Sequence, residues 1–111
     1  CLYNNWKAFI VFVFFPWYFG NMFLVITNLI FHNNALPHDK YNISYNYVGR
    51  FENMIFLNGG YHTAHHLKPN VHWSQLKVLH EKEVAPKIKD EYIKNSMFTH
   101  FKDEYFKLGY E

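Results

Sequence analysis

The sequence has little of what many binding proteins depend on. Its single cysteine excludes an internal disulfide framework and a cysteine-rich zinc or iron–sulfur site. Its 11 lysine and arginine residues nearly balance 9 aspartate and glutamate residues, so no nucleic-acid partner is expected. There is no internal repeat, no low-complexity tract and no glycine-rich phosphate loop. The 111 residues allow one domain at most, and 22% of them are aromatic, which argues against a disordered chain.

Charge is missing altogether from residues 8–31, which are almost entirely apolar. A bilayer core needs about 20 such residues as a helix, and a signal peptide has a shorter apolar core. Pro16 and Gly20 interrupt the run, but membrane helices tolerate both, usually with a kink. The alternatives are a buried helix of a soluble protein, or two short helices that separate at Pro16. A chain this short cannot easily enclose such a run, so we expect an integral membrane protein in contact with the lipid bilayer.

The basic residues are distributed unevenly about this run. Lys7 is the only lysine or arginine before residue 31, and the other ten follow it. The positive-inside rule therefore predicts that the C-terminal part, with any site it carries, lies on the cytoplasmic side.

After a loop rich in turn-forming residues, the rest of the chain shows helical patterns. Residues 45–56 have apolar residues at helical spacing, and Asn58-Gly59-Gly60 should then break the helix. Residues 61–67 should resume it until Pro69. Ser74 is a plausible N-cap for a helix that ends near residue 84, and residues 87–105 suggest one or two amphipathic helices.

These patterns predict an all-α fold in which a membrane-spanning helix precedes a cytosolic helical cap. The expected division is a transmembrane helix at about 8–31, a metal-site region at 32–85 and an amphipathic helical tail at 86–111. The chain begins with Cys1, and we expect it to be a partial fold, a fragment of a longer protein.

Three of the eight histidines form the motif H-x-x-H-H, at His62, His65 and His66. On a helix, these positions fall within roughly 100° of arc, so the three imidazoles can point into one space. Imidazole is a good ligand for iron and zinc. The alternative is a set of surface histidines, whereas a packed core of three would leave ring nitrogens unsatisfied. The motif therefore predicts a metal site.

A second pair of polar residues closes the apolar run. Asn28 and His32 lie one helical turn apart near the expected membrane boundary, where polar groups are costly unless they are paired or functional. The alternative for His32 is contact with headgroups and water. His72 and His80 either orient a ligand imidazole or are ordinary surface residues, while His38 and His100 are expected at the surface.

The order of these motifs resembles a known family. A membrane span ending in N-x-x-x-H, about thirty residues, and then N-G-G-Y-H-T-A-H-H-L-K-P-N-V-H-W-S-Q-L is similar to the C-terminal part of a membrane fatty acid desaturase, over roughly residues 16–80. The resemblance implies that His62, His65 and His66 are the third histidine box and that His32 is an isolated ligand. It also implies that Asn28 holds a metal-bound water.

The resemblance further implies two non-haem Fe²⁺ ions, O₂ as co-substrate, an acyl-lipid substrate and no catalytic residue beyond the metal ligands. The first two histidine boxes are absent, so the isolated fragment is expected to be inactive. No H-P-G-G haem motif is present, and His62 stands where desaturases fused to cytochrome b5 have glutamine. A separate electron donor of the ferredoxin, rubredoxin or cytochrome b5 type is therefore expected.

Two other functions remain open. The same di-iron superfamily includes alkane or lipid hydroxylases and carotenoid ketolases. A non-catalytic alternative is a membrane-anchored segment whose histidines bind adventitious zinc.

Overall fold

The apolar run forms one long helix, α1, at Trp6–His32. A computed structural model describes residues 5–106 of the chain. By length and composition, α1 is the one helix within these residues that could cross a membrane. Ile30 is its only buried residue, and the other large apolar side chains of the helix are exposed or half-buried. The predicted long apolar helix is confirmed, and it extends slightly beyond residues 8–31 at both ends.

Pro16 is accommodated by a local change of helix type. The segment Ile10–Phe14 is a π-helical turn, and regular α-helix resumes at Phe15–His32, with the proline in its first turn. Proline has no backbone N–H, and its ring crowds the preceding turn. A wider turn before the proline removes that conflict while the helix remains continuous.

Short elements follow α1, so the structure is mostly helical, as predicted. They are β1 (Asn46–Tyr47), α2 (Arg50–Ile55), α3 (His62–Leu67), a 3₁₀ turn (Trp73–Gln75), α4 (Leu76–Leu79), a π-helical turn (His80–Val84), a second 3₁₀ turn (Asp90–Tyr92), β2 (Ile93–Lys94) and α5 (Met97–Phe106). The strands β1 and β2 pair in parallel, with Asn46 opposite Ile93.

Three local expectations differ from the structure. Residues 45–56 are split between β1 and α2, because the first part pairs with β2. His72, and not Ser74, caps the turn before α4, since its side chain accepts a hydrogen bond from the Ser74 N–H. Residues 87–105 contain a 3₁₀ turn, β2 and only one helix, α5. The last five residues of the predicted tail lie outside the described residues.

The glycines in the turn between α2 and α3 do not provide its unusual backbone conformation, contrary to the expectation from the sequence. Leu57 and Asn58 adopt positive φ angles of 49° and 60°, whereas neither glycine of the turn does. Gly60 is instead required for space, because a Cβ atom there would lie 2.2 Å from the carbonyl oxygen of Tyr47. The close approach allows the Tyr47 N–H to donate to the Gly60 carbonyl at 2.9 Å. The start of α3 is thereby joined to β1.

A small apolar core lies beneath α3. Its buried residues are Tyr61, Ala64, Leu76, Val84, Ile88 and Tyr92. Thr63 and Ala64 form the buried face of α3, while His65 and His66 remain exposed. The buried face of α3 therefore packs the helix against the core, and its exposed face carries His65 and His66.

Candidate metal centre

Three imidazole nitrogens meet where the end of α1 approaches α3. His32 is the last residue of α1, and His62 and His66 lie one turn apart on α3. Their Nε2 atoms are separated by 3.1 Å (His32 to His62), 3.1 Å (His62 to His66) and 3.3 Å (His32 to His66). These three atoms are called the histidine triangle below. Among the described residues, they form a group that could hold a metal ion.

The size of the histidine triangle fits one metal ion. A metal–imidazole bond is about 2.1 Å long, so ligand atoms 3.1–3.3 Å apart subtend angles of about 95–104° at the metal. These angles lie between those of octahedral and tetrahedral coordination. Three neutral imidazoles cannot satisfy one another at these distances, because each carries only one N–H. The donor set therefore suits a cation at the centre.

The backbone determines the tautomer of His32. Its Nδ1 atom lies 2.9 Å from the carbonyl oxygen of Ile43, which can only accept a hydrogen bond. Nδ1 therefore carries the proton, and in the neutral ring Nε2 presents a lone pair to the histidine triangle. A hydrogen bond of this kind to the distal nitrogen orients metal-binding histidines and increases their basicity.

His62 is held by stacking and remains neutral. Its ring stacks on Phe31, with centroids 4.1 Å apart and planes 20° apart. Burial, and after it the nearby charges of His66, His32 and His65, lower the pKa of His62 to about 3. Burial and the neighbouring histidines also lower the pKa of His66. A metal binds the neutral form of imidazole, so both effects favour metal over protons.

A buried hydrogen-bond network fixes the beginning of α3. The Asn46 side chain accepts from the Thr63 N–H at 3.1 Å and donates to the Thr63 hydroxyl at 2.8 Å. The Ser44 hydroxyl lies 2.9 Å from the same hydroxyl, and all three residues are fully buried. Because Thr63 follows His62 directly, the network positions the ligand-bearing helix from within the protein.

The model of the fatty acid desaturase family, described as "Fatty acid desaturase", matches residues 1–96 of the 111 residues. The chain belongs to the fatty acid desaturase family. No curated protein and no solved structure matches the chain significantly. Membership of the family implies an oxidoreductase with a lipid substrate, and together with the histidine triangle it indicates a metal site. The resemblance inferred from the histidine motifs is thereby confirmed.

The remaining candidate residues of the chain lie outside the histidine triangle. His65 is exposed on α3, with its ring centroid 6.2 Å from that of His62. Asn28 is exposed on α1, one turn before His32. His72 bonds to Ser74 through Nδ1. His80 is buried against Tyr61, and its Nδ1 atom has no hydrogen-bond partner.

Sequence reasoning missed the residues that support the histidine triangle. Phe31 is the stacking partner of His62. It lies in an apolar run with many aromatic residues, and nothing in the sequence distinguishes it from the others. Asn46 is one of two asparagines in the segment 45–56, which was predicted to be helical. Only the fold shows that each contacts α3.

Proposed function

We propose that the chain is the C-terminal portion of a membrane di-iron, O₂-dependent fatty acid desaturase that introduces a double bond into an acyl chain. The observation that carries the proposal is the histidine triangle at the end of α1 in a member of the desaturase family. Iron bound there would supply the oxygen chemistry needed to remove hydrogen from an unactivated methylene.

We base the proposed ligand roles on the geometry of the described residues. His32, His62 and His66 would hold one iron through Nε2, with the Ile43 carbonyl and the Phe31 ring keeping two of the rings in place.

His65 presents an imidazole about 6 Å away on the same helix, and we assign it to a second iron. Asn28 would act through a bound water or by orienting His32. His72 and His80 would act indirectly, by stabilising the segment that packs against α3. His72 caps the turn before α4, and His80 packs against Tyr61.

A cavity beside α1 supports the proposal that the substrate is an acyl chain. It has a volume of about 120 Å³. Its lining is largely apolar and consists of Phe23, Thr27, Phe31, Tyr47, Glu52, Phe56, Gly59, Gly60 and Met97. Phe31 lines the cavity and also stacks on His62, so a methylene chain in the cavity would lie one ring away from the histidine triangle. The Phe31 ring would separate the apolar chain from the polar site.

We place α1 across the membrane, with the histidine triangle and the C-terminal part on the cytoplasmic side. Ten of the eleven basic residues follow the helix, which supports this orientation. Protease protection in sealed vesicles measures it, and protection of the C-terminal part from cytosolic protease would contradict it. We propose that the electrons come from a separate carrier of the ferredoxin, rubredoxin or cytochrome b5 type.

Metal binding by the purified chain in detergent tests the site. We expect Fe²⁺, or Co²⁺ as a spectroscopic substitute, to bind to the wild type. Loss of a ligand should weaken binding more than the roughly 10–100-fold typical of a supporting residue, so His66→Ala should lose it almost completely. His66 is exposed, so the substitution should not disturb folding.

The exposed His38 provides the matched control, and His38→Ala should bind as the wild type does. Equal binding by His66→Ala and His38→Ala would contradict the site. Lipid analysis of a host that expresses the complete gene tests the reaction. New double bonds are expected, whereas hydroxylated lipids, alkanes or carotenoids would assign the gene to a hydroxylase or ketolase instead.

A further inference from the structure

Helix α2 exposes an apolar face that the histidine triangle does not use. Phe51 and Met54 are each 70% exposed, and Ile55 is 52% exposed. These positions are three and four residues apart, so they lie on one side of the helix. On the other side, Asn53 is buried and the Glu52 carboxylate accepts hydrogen bonds from the backbone of α5. α2 is therefore amphipathic, with its polar side toward the protein.

The turn after α2 continues this face and contacts α1. Leu57 is 53% exposed, and the Phe56 ring lies 5.7 Å from the ring of Phe23. Phe23 precedes the end of α1 at His32 by nine residues, which corresponds to roughly 13 Å along the helix. The apolar face of α2 is thus continuous with the lipid-facing surface of α1. It lies beside the last turns of that helix, on the membrane side of His32.

The edge of this surface has the residues expected near lipid headgroups. Met54 and Leu57 share a shallow groove with Trp73, Arg50 and Lys77. Tryptophan favours the membrane interface, and long cationic side chains can place their charge at the phosphate level while their stems cover apolar surface. Apolar residues bordered by cations complement a membrane surface, where acyl chains lie beside anionic headgroups. We therefore favour anionic lipid over a protein as the partner of this surface.

The backbone of the turn is also suited to contact with lipid. An unpaired N–H group in hydrocarbon is costly. The Asn58 N–H donates to the Asn53 carbonyl, the Gly59 N–H to the Phe56 carbonyl, and the Gly60 N–H to the Asn53 side chain. These internal hydrogen bonds satisfy the N–H groups of Asn58, Gly59 and Gly60 without water.

We propose that α2 and its following turn form a second membrane-embedded element, which lies in the lipid leaflet beside the end of α1. The face of Phe51, Met54, Ile55 and Leu57 contacts acyl chains, and Arg50 and Lys77 contact anionic headgroups. The inference goes beyond the proposed reaction but rests on the proposed membrane span of α1. The experiment therefore measures the two separately.

Single cysteines carrying an environment-sensitive fluorophore test the proposal in a Cys1→Ser background. The full chain would be reconstituted into vesicles of phosphatidylcholine and phosphatidylglycerol. Met54→Cys and Leu57→Cys report on the proposed surface, because both side chains are exposed and neither substitution removes a core contact. Leu24→Cys, in α1, reports on the span, and Val78→Cys, exposed in α4, is the water-facing control.

We expect nitroxide-labelled lipids to quench the labels at positions 24, 54 and 57 severalfold more than the label at 78, and iodide to show the reverse order. Iodide quenching at 54 and 57 equal to that at 78 would overturn the inference. Protection of both positions from both quenchers would also overturn it, because protein, such as a second copy, would then cover the face. Iodide quenching at position 24 would refute the membrane span itself, and the inference with it.

Discussion

Asn46 shows how one buried side chain can position the helix that carries two candidate metal ligands, His62 and His66, without being a ligand itself. It supplies both an acceptor and a donor to Thr63, which follows His62. Its side chain is fully buried, so water cannot replace either hydrogen bond after truncation. A displacement of the Thr63 backbone by a few tenths of an ångström would also move the adjacent His62 ring.

The substitution Asn46→Ala should lower the free energy of unfolding by roughly 1–3 kcal/mol, because it leaves the buried Thr63 N–H unpaired. It should also weaken metal binding about 10–100-fold, as expected for a residue that orients ligands. Asn46→Asp keeps the acceptor and should recover part of the affinity. Thermal unfolding and Co²⁺ titration provide the two measurements.

Asn70→Ala is the control, because Asn70 is exposed and has no positive φ angle that alanine would strain. Equal metal affinities for the two alanine variants would show that Asn46 has no positioning role.

At the residue scale, the sequence allowed prediction of a histidine cluster but not of its supports. The spacing of His62 and His66 on a helix, and the position of His32 at the end of an apolar run, are local signals. His100, which was expected at the surface, is half-buried. Its Nδ1 atom lies 2.7 Å from the hydroxyl of the buried Tyr47, a partner that is distant in the sequence and therefore leaves no local pattern.

At the element scale, helices with a strong apolar period were predictable, and pairings between distant segments were not. α1 and α3 follow from runs within their own residues. β1 and β2 have two residues each, too few for a periodic pattern to identify. They form only because the chain after α4 returns to residue 46, and that return depends on the core beneath α3.

The close approach at Gly60 makes the connection between α2 and α3 sensitive to a single methyl group. In Gly60→Ala, the new Cβ would lie 2.2 Å from the Tyr47 carbonyl oxygen and 2.6 Å from Asn53 Oδ1. The backbone must shift to relieve this overlap, at a cost of about 1–3 kcal/mol. We expect a lower midpoint of thermal unfolding and weaker Co²⁺ binding, because α3 would move relative to His32.

Gly20→Ala is the matched control for that experiment. Gly20 lies in α1, and apart from the adjoining backbone of the helix no atom is within 4 Å of the position of its Cβ. Alanine there should leave both measurements unchanged or slightly raise the stability of the helix. An effect of Gly60→Ala no larger than that of Gly20→Ala would contradict the steric explanation.

At the scale of the whole molecule, long-range contacts attach the C-terminal segment to the metal-bearing part. The Glu52 carboxylate accepts from the Met97 N–H at 2.9 Å, and β1 pairs with β2. Tyr47 also donates to the Ile30 carbonyl of α1. The end of α1, α3 and α5 are thus joined through β1 and α2, which explains why the histidine triangle needs more of the chain than its own motif.

The histidine triangle is closed on one side by Phe31 and open on the other, where His66 is exposed. This asymmetry would set the exchange kinetics of a metal ion bound there. An ion can leave through the open side while the protein stays folded, so a chelator can attack it directly. The rate of metal removal by a soluble chelator should therefore rise in proportion to chelator concentration. A rate independent of chelator concentration would mean that the protein must first open, and that loading of the metal is coupled to unfolding.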